Sequence, residues 1–231
     1  MKEALILAAG RGTRLMPLTS NTPKPLIEVN GKPFLFYVIK NLHKAGITDL
    51  KIIVGYKKEK IAEFLKRYNI KATLIFQEEQ KGTGHAVLTS RKYMGKEFLV
   101  VSGDNLFSSN DIKAIANNKS DYVIGALKHE NPEQYGVLIT RKNKLISIVE
   151  KPKVFVGNLI NVGLYKFHHH IFSVLENIKE SERGEIELTD AITQIAQTHH
   201  FEVFPLKDYW LDLGKKEDIP KIAEFLKKVG E

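Results

Sequence analysis

Hydrophobic positions along the first hundred residues fall into short unbroken runs separated by stretches of helical spacing. Residues 3–8 (EALILA) are apolar at every position after Glu3, the mark of a strand buried on both faces. Residues 33–45 repeat apolar side chains at helical intervals, with Pro33 in the first turn and Gly46 at the C-terminus. The same reading predicts strands at 51–54, 72–76 and 98–101, and helices at 59–67 and from near Gly82. This β-α-β-α-β order implies a parallel sheet with helices on both faces.

The pattern changes after residue 120. Residues 121–127, 136–140, 144–149 and 159–167 read as strands joined by short polar turns, which predicts antiparallel additions beside the parallel core. Helices follow near 170–178 and 188–197, then a strand near 201–205 and a last helix near 216–228. That helix carries Ile219, Ile222, Ala223, Leu226 and Val229 at helical spacing. The expectation is an α/β three-layer α/β/α fold with a mostly parallel mixed sheet. One domain covers 1–231, with a change of pattern between 1–120 and 121–231.

Composition narrows the classes. At 231 residues the chain can bury a sizeable core, and with no cysteine it has neither disulfides nor thiolate metal sites. No secretory leader pattern opens the chain, and no apolar run approaches the roughly 20 residues of a membrane span. A soluble cytoplasmic protein is expected, with no membrane partner. The net charge of +8 comes from lysines scattered among glutamates, which reads as a solvated surface and not as a nucleic-acid stripe.

The first strand runs into Gly10-Arg11-Gly12-Thr13-Arg14-Leu15, and Pro23-Lys24-Pro25 follows in the same connection. Glycines let backbone N–H groups approach an anion, and Arg14 and Lys24 add full charges beside them. A dinucleotide turn would place a third glycine where Leu15 stands, and no Walker loop occurs. The combination suits nucleotide phosphates; the plainer alternative is an ordinary strand-to-helix turn with solvated cations.

Asp104 follows a buried strand in Ser102-Gly103-Asp104-Asn105, and Asp212 shares a strand face with Trp210. Mg²⁺ takes one or two carboxylates and completes its shell with water and phosphates, so two separated aspartates suffice. Turn formation by Asp104 and a strand-end cap at Asp212 are the alternatives. Gln77 opens the segment Gln77–Ala86, where a side-chain amide could read the N3–H and carbonyl edge of a pyrimidine. Here the alternative is a helix start capped by Thr83. Gly10, Gln77 and Asp104 each follow a predicted strand, so they converge at the carboxyl ends of the sheet.

Taken in order, these motifs resemble the sugar-1-phosphate nucleotidylyltransferases. The resemblance adds Tyr135-Gly136-Val137, Val149-Glu150-Lys151-Pro152, Asn161-Val162-Gly163-Leu164-Tyr165, Arg183-Gly184-Glu185 and Trp210-x-Asp212-x-Gly214, and it covers nearly the whole chain. It implies a Rossmann-like nucleotidyltransferase fold, with 1–120 mainly the nucleotide-binding half and 121–231 mainly the sugar-phosphate-binding half. Leu7, Ala8, Gly10 and Gly12 would line the nucleotide, with Gln77, Gly82 and Thr83 at the base. Arg14 and Lys24 would be catalytic, holding the triphosphate, and Asp104 and Asp212 would hold Mg²⁺. Gly136, Glu150 and Asn161 would contact sugar hydroxyls, and Lys151 and Arg183 the sugar phosphate.

The implied partners are a nucleoside triphosphate, UTP or dTTP, and glucose-1-phosphate or N-acetylglucosamine-1-phosphate. His85 in Gly-Thr-Gly-His-Ala leans toward a pyrimidine by the same resemblance. A dTTP-specific thymidylyltransferase and a non-catalytic sugar-nucleotide-binding regulatory subunit are the alternatives. Long family members append a C-terminal β-helix, which is not expected after the last helix here. A homo-oligomer is compatible with the resemblance. The clusters His168-His169-His170 and His199-His200 point in divergent directions and read as junctions, not metal sites; Glu78-Glu79 reads as solvated loop charge.

Overall fold

A computed structural model of the chain describes residues 1–181 and 184–230. The first strand, β1 (Glu3–Ala8), sorts its side chains by alternation: Ala4, Ile6 and Ala8 enter one hydrophobic cluster, and Leu5 enters the other. That two-sided burial is why the segment reads as an unbroken apolar run. After two short strands, β2 (Glu28–Val29) and β3 (Lys32–Pro33), come α1 (Phe34–Lys44), β4 (Asp49–Val54), α2 (Lys58–Arg67) and β5 (Thr73–Phe76). Then follow α3 (Gly82–Thr89), β6 (Glu97–Ser102), β7 (Asn105–Phe107) and α4 (Ser109–Ala116). The second half supplies β8 (Tyr122–Lys128), β9 (Gly136–Arg141), β10 (Lys144–Glu150) and β11 (Leu159–His168). It closes with α5 (Ile171–Leu175), α6 (Leu188–Thr198), β12 (Phe201–Pro205), β13 (Trp210–Asp212) and α7 (Asp218–Lys228).

Among the described residues nine strands form one sheet in the order β5-β4-β1-β6-β11-β8-β12-β10-β9. The strands β5, β4, β1 and β6 are mutually parallel. β11 runs antiparallel to both β6 and β8, and β9 and β10 pair antiparallel beyond them. The later strand β12, for which the sequence pattern gave no direction, pairs parallel with β8 and so runs opposite to β11, the strand that precedes α5 and α6. The helices α1, α2, α4 and α7 cover one face with Phe34, Val38, Ile61, Ile112 and Ile222, and α3, α5 and α6 cover the other with Val87, Phe172, Ala191 and Ile195. The result is the three-layer α/β/α arrangement.

Several details differ from expectation. Pro33 is the N-cap of α1 and not part of its first turn. The helix α4 lies in a stretch for which the apolar pattern alone predicted nothing; Ser108 caps it by accepting the Asp111 N–H at 3.0 Å. Within α7, Ile222 and Leu226 are buried, but Val229 lies past the helix end and is 45 % exposed. His168, His169 and His170 do bridge β11 and α5. Among the described residues no helix is long and apolar enough to cross a membrane.

Candidate active site

The parallel strands β1, β5 and β6 end at one edge of the sheet, and the segments that follow them enclose a cavity of about 460 Å³. Leu7, Ala8, Gly10, Gly12, Arg14, Lys24, Gln77, Gly82, Thr83 and Asp104 all line it. The two glycines of the first turn do different things. Gly12 has φ +63°, and a Cβ there would lie 2.8 Å from the Lys24 Cβ, so the turn and the lysine pack only because position 12 is bare. Gly10 meets nothing within 4 Å and leaves open space in the wall. Thr19 fastens the loop by donating its hydroxyl to the Gly12 carbonyl at 2.8 Å.

Lys24 reaches across the cavity mouth and forms an ion pair with the Asp104 carboxylate. Asp104 itself is placed by β6 and by a two-stranded ribbon in which β13 pairs antiparallel with β7, setting Asp212 opposite Asn105. The Leu213 N–H donates to the Asp104 carbonyl at 3.0 Å, so the two aspartates come from adjoining backbone. Burial, and then the neighbouring Asp104 charge, pushes Asp212 up to about 6; Lys24 and Arg14 pull it down and Asp218 pushes it further up. The Asp212 carboxyl, which resists ionising with the Asp104 charge beside it, sits where positive charge is short. Hard oxygen donors in that condition fit a divalent cation such as Mg²⁺. Among the described residues no group of three or more His, Asp or Glu side chains forms a metal cluster.

The end of the cavity lined by Gln77, Gly82 and Thr83, where a base is expected, is built on a clasp between α3 and the segment before α6. The Ile186 N–H donates to Lys81 and the Gly84 N–H to Ile186, both at 2.8 Å. A Cβ at Gly82 or Gly84 would lie 2.7 Å from the Ile186 carbonyl oxygen, and Gly82 has φ +90°. Thr83 caps a helix other than the one expected: its hydroxyl accepts the Leu188 N–H of α6 at 3.3 Å, and α3 begins without a side-chain cap. Gln77 is 4 % exposed and donates through Nε2 to the Gly82 carbonyl at 3.3 Å, with His85 Nδ1 at 3.0 Å. Gln80, which sequence reasoning passed over, also lines the cavity and donates to the Ala9 carbonyl at 2.7 Å. Glu185 joins the same wall through the clasp, a placement that only the fold could reveal. Glu79 pairs with Lys81 in the exposed loop, as its solvated reading requires.

The expected sugar residues assemble on neighbouring strands. Gly136 and Glu150 face each other across β9 and β10, and a Cβ at Gly136 would meet Glu150 Oε2 at 2.9 Å and the Asn161 Cβ at 3.7 Å. Asn161 donates to the Tyr165 hydroxyl at 2.8 Å and accepts the Gly163 N–H at 3.1 Å. Gly163 abuts Ser102 of the cavity wall, with 2.7 Å from a built Cβ to the serine hydroxyl, so this cluster adjoins the first cavity. Lys151 holds φ +42°, its N–H donating to the Tyr135 carbonyl at 3.0 Å. Arg183 lies outside the described residues. A second cavity of about 430 Å³ shares Arg14 and Gly214 with the first and is walled by Tyr135, Asp212, Asp218 and Lys215.

Strand ends of a mostly parallel sheet that deliver cations, carboxylates and a base-sized amide to one cavity mark a nucleotide-binding α/β protein of Rossmann-like build. The chain belongs to the nucleotidyl transferase family, whose model matches residues 3–229. It is 42% identical over 220 residues to the bifunctional protein GlmU of Methanococcus maripaludis, covering 94% of this chain and 52% of that one. The chain thus spans about half the length of these curated relatives. It is 32% identical over 225 residues to the UTP–glucose-1-phosphate uridylyltransferase AglF of Haloferax volcanii, covering 94% and 93% of the two chains. Among solved structures, a UDP-glucose pyrophosphorylase complexed with UDP-glucose shares the fold, with a TM-score of 0.88 at 24% identity over 99% of each chain.

Proposed function

We propose that the chain transfers a nucleotidyl group from a pyrimidine nucleoside triphosphate, UTP before dTTP, to glucose-1-phosphate or N-acetylglucosamine-1-phosphate, releasing pyrophosphate. The observation that carries this reading is the single cavity collecting the glycine turn, Arg14, Lys24, Gln77 and Asp104 from separate strand ends. The pairing of a UTP-dependent name on the Haloferax relative with nearly full mutual coverage supports the uridylyl form.

The reacting atoms need little covalent help. A sugar-1-phosphate oxygen is already an anion near neutral pH, attacks the α-phosphorus in line, and expels pyrophosphate without a general base. The difficulty is bringing two anions together, so positioning and charge neutralisation dominate. Backbone of the Gly10–Gly12 turn approaches the phosphates, and Lys24 and Arg14 neutralise them. Asp104 and Asp212 would hold Mg²⁺, which when bound supplies Lewis-acid polarisation and further neutralisation. Gly136, Glu150 and Asn161 would take the sugar hydroxyls, with Lys151 and Arg183 at its phosphate.

Base choice follows from Gln77. A carbonyl only accepts, so the amide nitrogen must face Gly82, and with His85 Nδ1 as an acceptor both its hydrogens are committed. Oε1 is then the atom offered to a base, and it suits the N3–H of uracil or thymine and not the bare N3 of cytosine. Uracil and thymine differ by one methyl, which apolar contact separates by only about 1–3 kcal/mol. Pyrophosphate release across UTP, dTTP, CTP, ATP and GTP, each with both sugar phosphates and Mg²⁺, tests the proposal. Turnover confined to UTP and dTTP is expected; no turnover with any pair would overturn it in favour of a sugar-nucleotide-binding subunit.

A further inference from the structure

The residue after Asp104 has both ends of its side chain committed. Asn105 is buried, its Oδ1 accepts the indole N–H of Trp210 at 2.5 Å, and its Nδ2 donates to Asp104 Oδ1 at 2.9 Å. An indole nitrogen only donates and an ionised carboxylate only accepts, so an amide is the group that satisfies both in this order. Turning it over would set donor against donor and acceptor against acceptor. The indole is held in turn: its ring lies 5.6 Å from Tyr135 and 6.4 Å from His129, both in edge-on contact. The pairing of β7 with β13 brings these groups together across the ribbon that also carries Asp212.

We propose that Asn105 is a positioning residue which, anchored by Trp210, fixes the orientation of the Asp104 carboxylate toward its cation. With Oδ1 held by the amide, Oδ2, the oxygen paired with Lys24, is the one left to exchange partners. A carboxylate on a turn would otherwise rotate about its terminal torsion, which is broad and poorly defined by itself. Partners that orient metal ligands in this way are commonly worth about 10–100-fold in metal affinity. The inference rests on reading Asp104 as a cation ligand. It also makes the only tryptophan of the chain, Trp210, a reporter on that site.

The test is a Mn²⁺ titration of the full-length protein, followed by calorimetry and by Trp210 emission, with circular dichroism on every variant. The wild type is expected to show saturable binding that Asp104→Asn abolishes. Asn105→Leu and Trp210→Phe are each expected to weaken Mn²⁺ binding about 10-fold or more, at unchanged secondary structure. Trp210→Phe removes the donor while keeping an aromatic ring at the position, so it serves if Asn105→Leu does not fold, and it is read by calorimetry. In the double variant the two losses should not add, because Trp210 acts through Asn105. Unchanged affinity in Trp210→Phe and Asn105→Leu, with wild-type binding still dependent on Asp104, would overturn the positioning role alone. Wild-type protein that binds no Mn²⁺ would remove the cation-ligand reading itself, and the inference with it.

Discussion

Lys24 and Asp104 stand 80 positions apart in sequence and form an ion pair across the cavity mouth. Both side chains remain partly exposed, so the pair adds little to stability, and in the proposed function its charges serve the phosphates and the cation. Lys24→Ala and Asp104→Ala should therefore lower kcat by at least about 100-fold while leaving the far-ultraviolet circular dichroism unchanged. Near-normal turnover in either would reject the assignment. Asp212 makes a prediction of opposite kind. Its ordinary value is 3.8 and the fold pushes it up to about 6, so between those values the folded protein holds a proton that the unfolded chain releases. Metal-free protein should lose stability as pH rises through that window and then level off. Asp212→Asn should flatten the dependence and raise metal-free stability above the window, with activity lost. Urea unfolding in a chelator across the pH range measures both.

Elements meet at the site through contacts that only bare backbone allows. The start of α3 is pinned to the segment before α6 by hydrogen bonds to and from Ile186, and Gly84 lies so close that a methyl group would touch the Ile186 carbonyl. Gly84→Ala should cost about 1–3 kcal/mol of stability by overpacking. Because the displaced wall carries Gly82, Thr83 and Glu185, the same change should raise KM for the nucleotide more than for the sugar phosphate. Equal effects on both, or no change in the thermal midpoint, would contradict the clasp. Helix spacing itself was legible: the apolar positions of α1 and α6 predicted their buried faces within a residue or two of each end. The helix α4 was not, since three polar residues open it and its cap, Ser108, declares itself only by the Asp111 N–H it accepts.

At the scale of the molecule, the proposed function divides the substrates between the two halves of the sheet. Gln77 belongs to the parallel half and Glu150 to the antiparallel half, and the strand β11 joins them by pairing with β6 and β8. Gln77→Ala should raise KM for UTP by about 10-fold with little change for the sugar phosphate, the loss expected of one uncharged hydrogen bond. Glu150→Ala should do the reverse. Steady-state kinetics with each substrate varied in turn separates them, and a shared effect on both constants would argue against two half-sites.

Sequence alone determined the alternation of strands and helices, the parallel first half and the three strand-end positions, Gly10, Gln77 and Asp104, where chemistry collects. Those features are local: burial on one face or two imposes a period on neighbouring residues, and a turn demands particular backbone freedom. Resemblance then supplied roles for residues such as Glu150 and Asn161, whose spacing by itself says little. Only the tertiary structure decided that β12 lies parallel to β8, that Thr83 caps α6, and that Asn105 joins Trp210 to Asp104. Such pairings join residues about a hundred positions apart, and they depend on strand order in the sheet, to which no local pattern is sensitive.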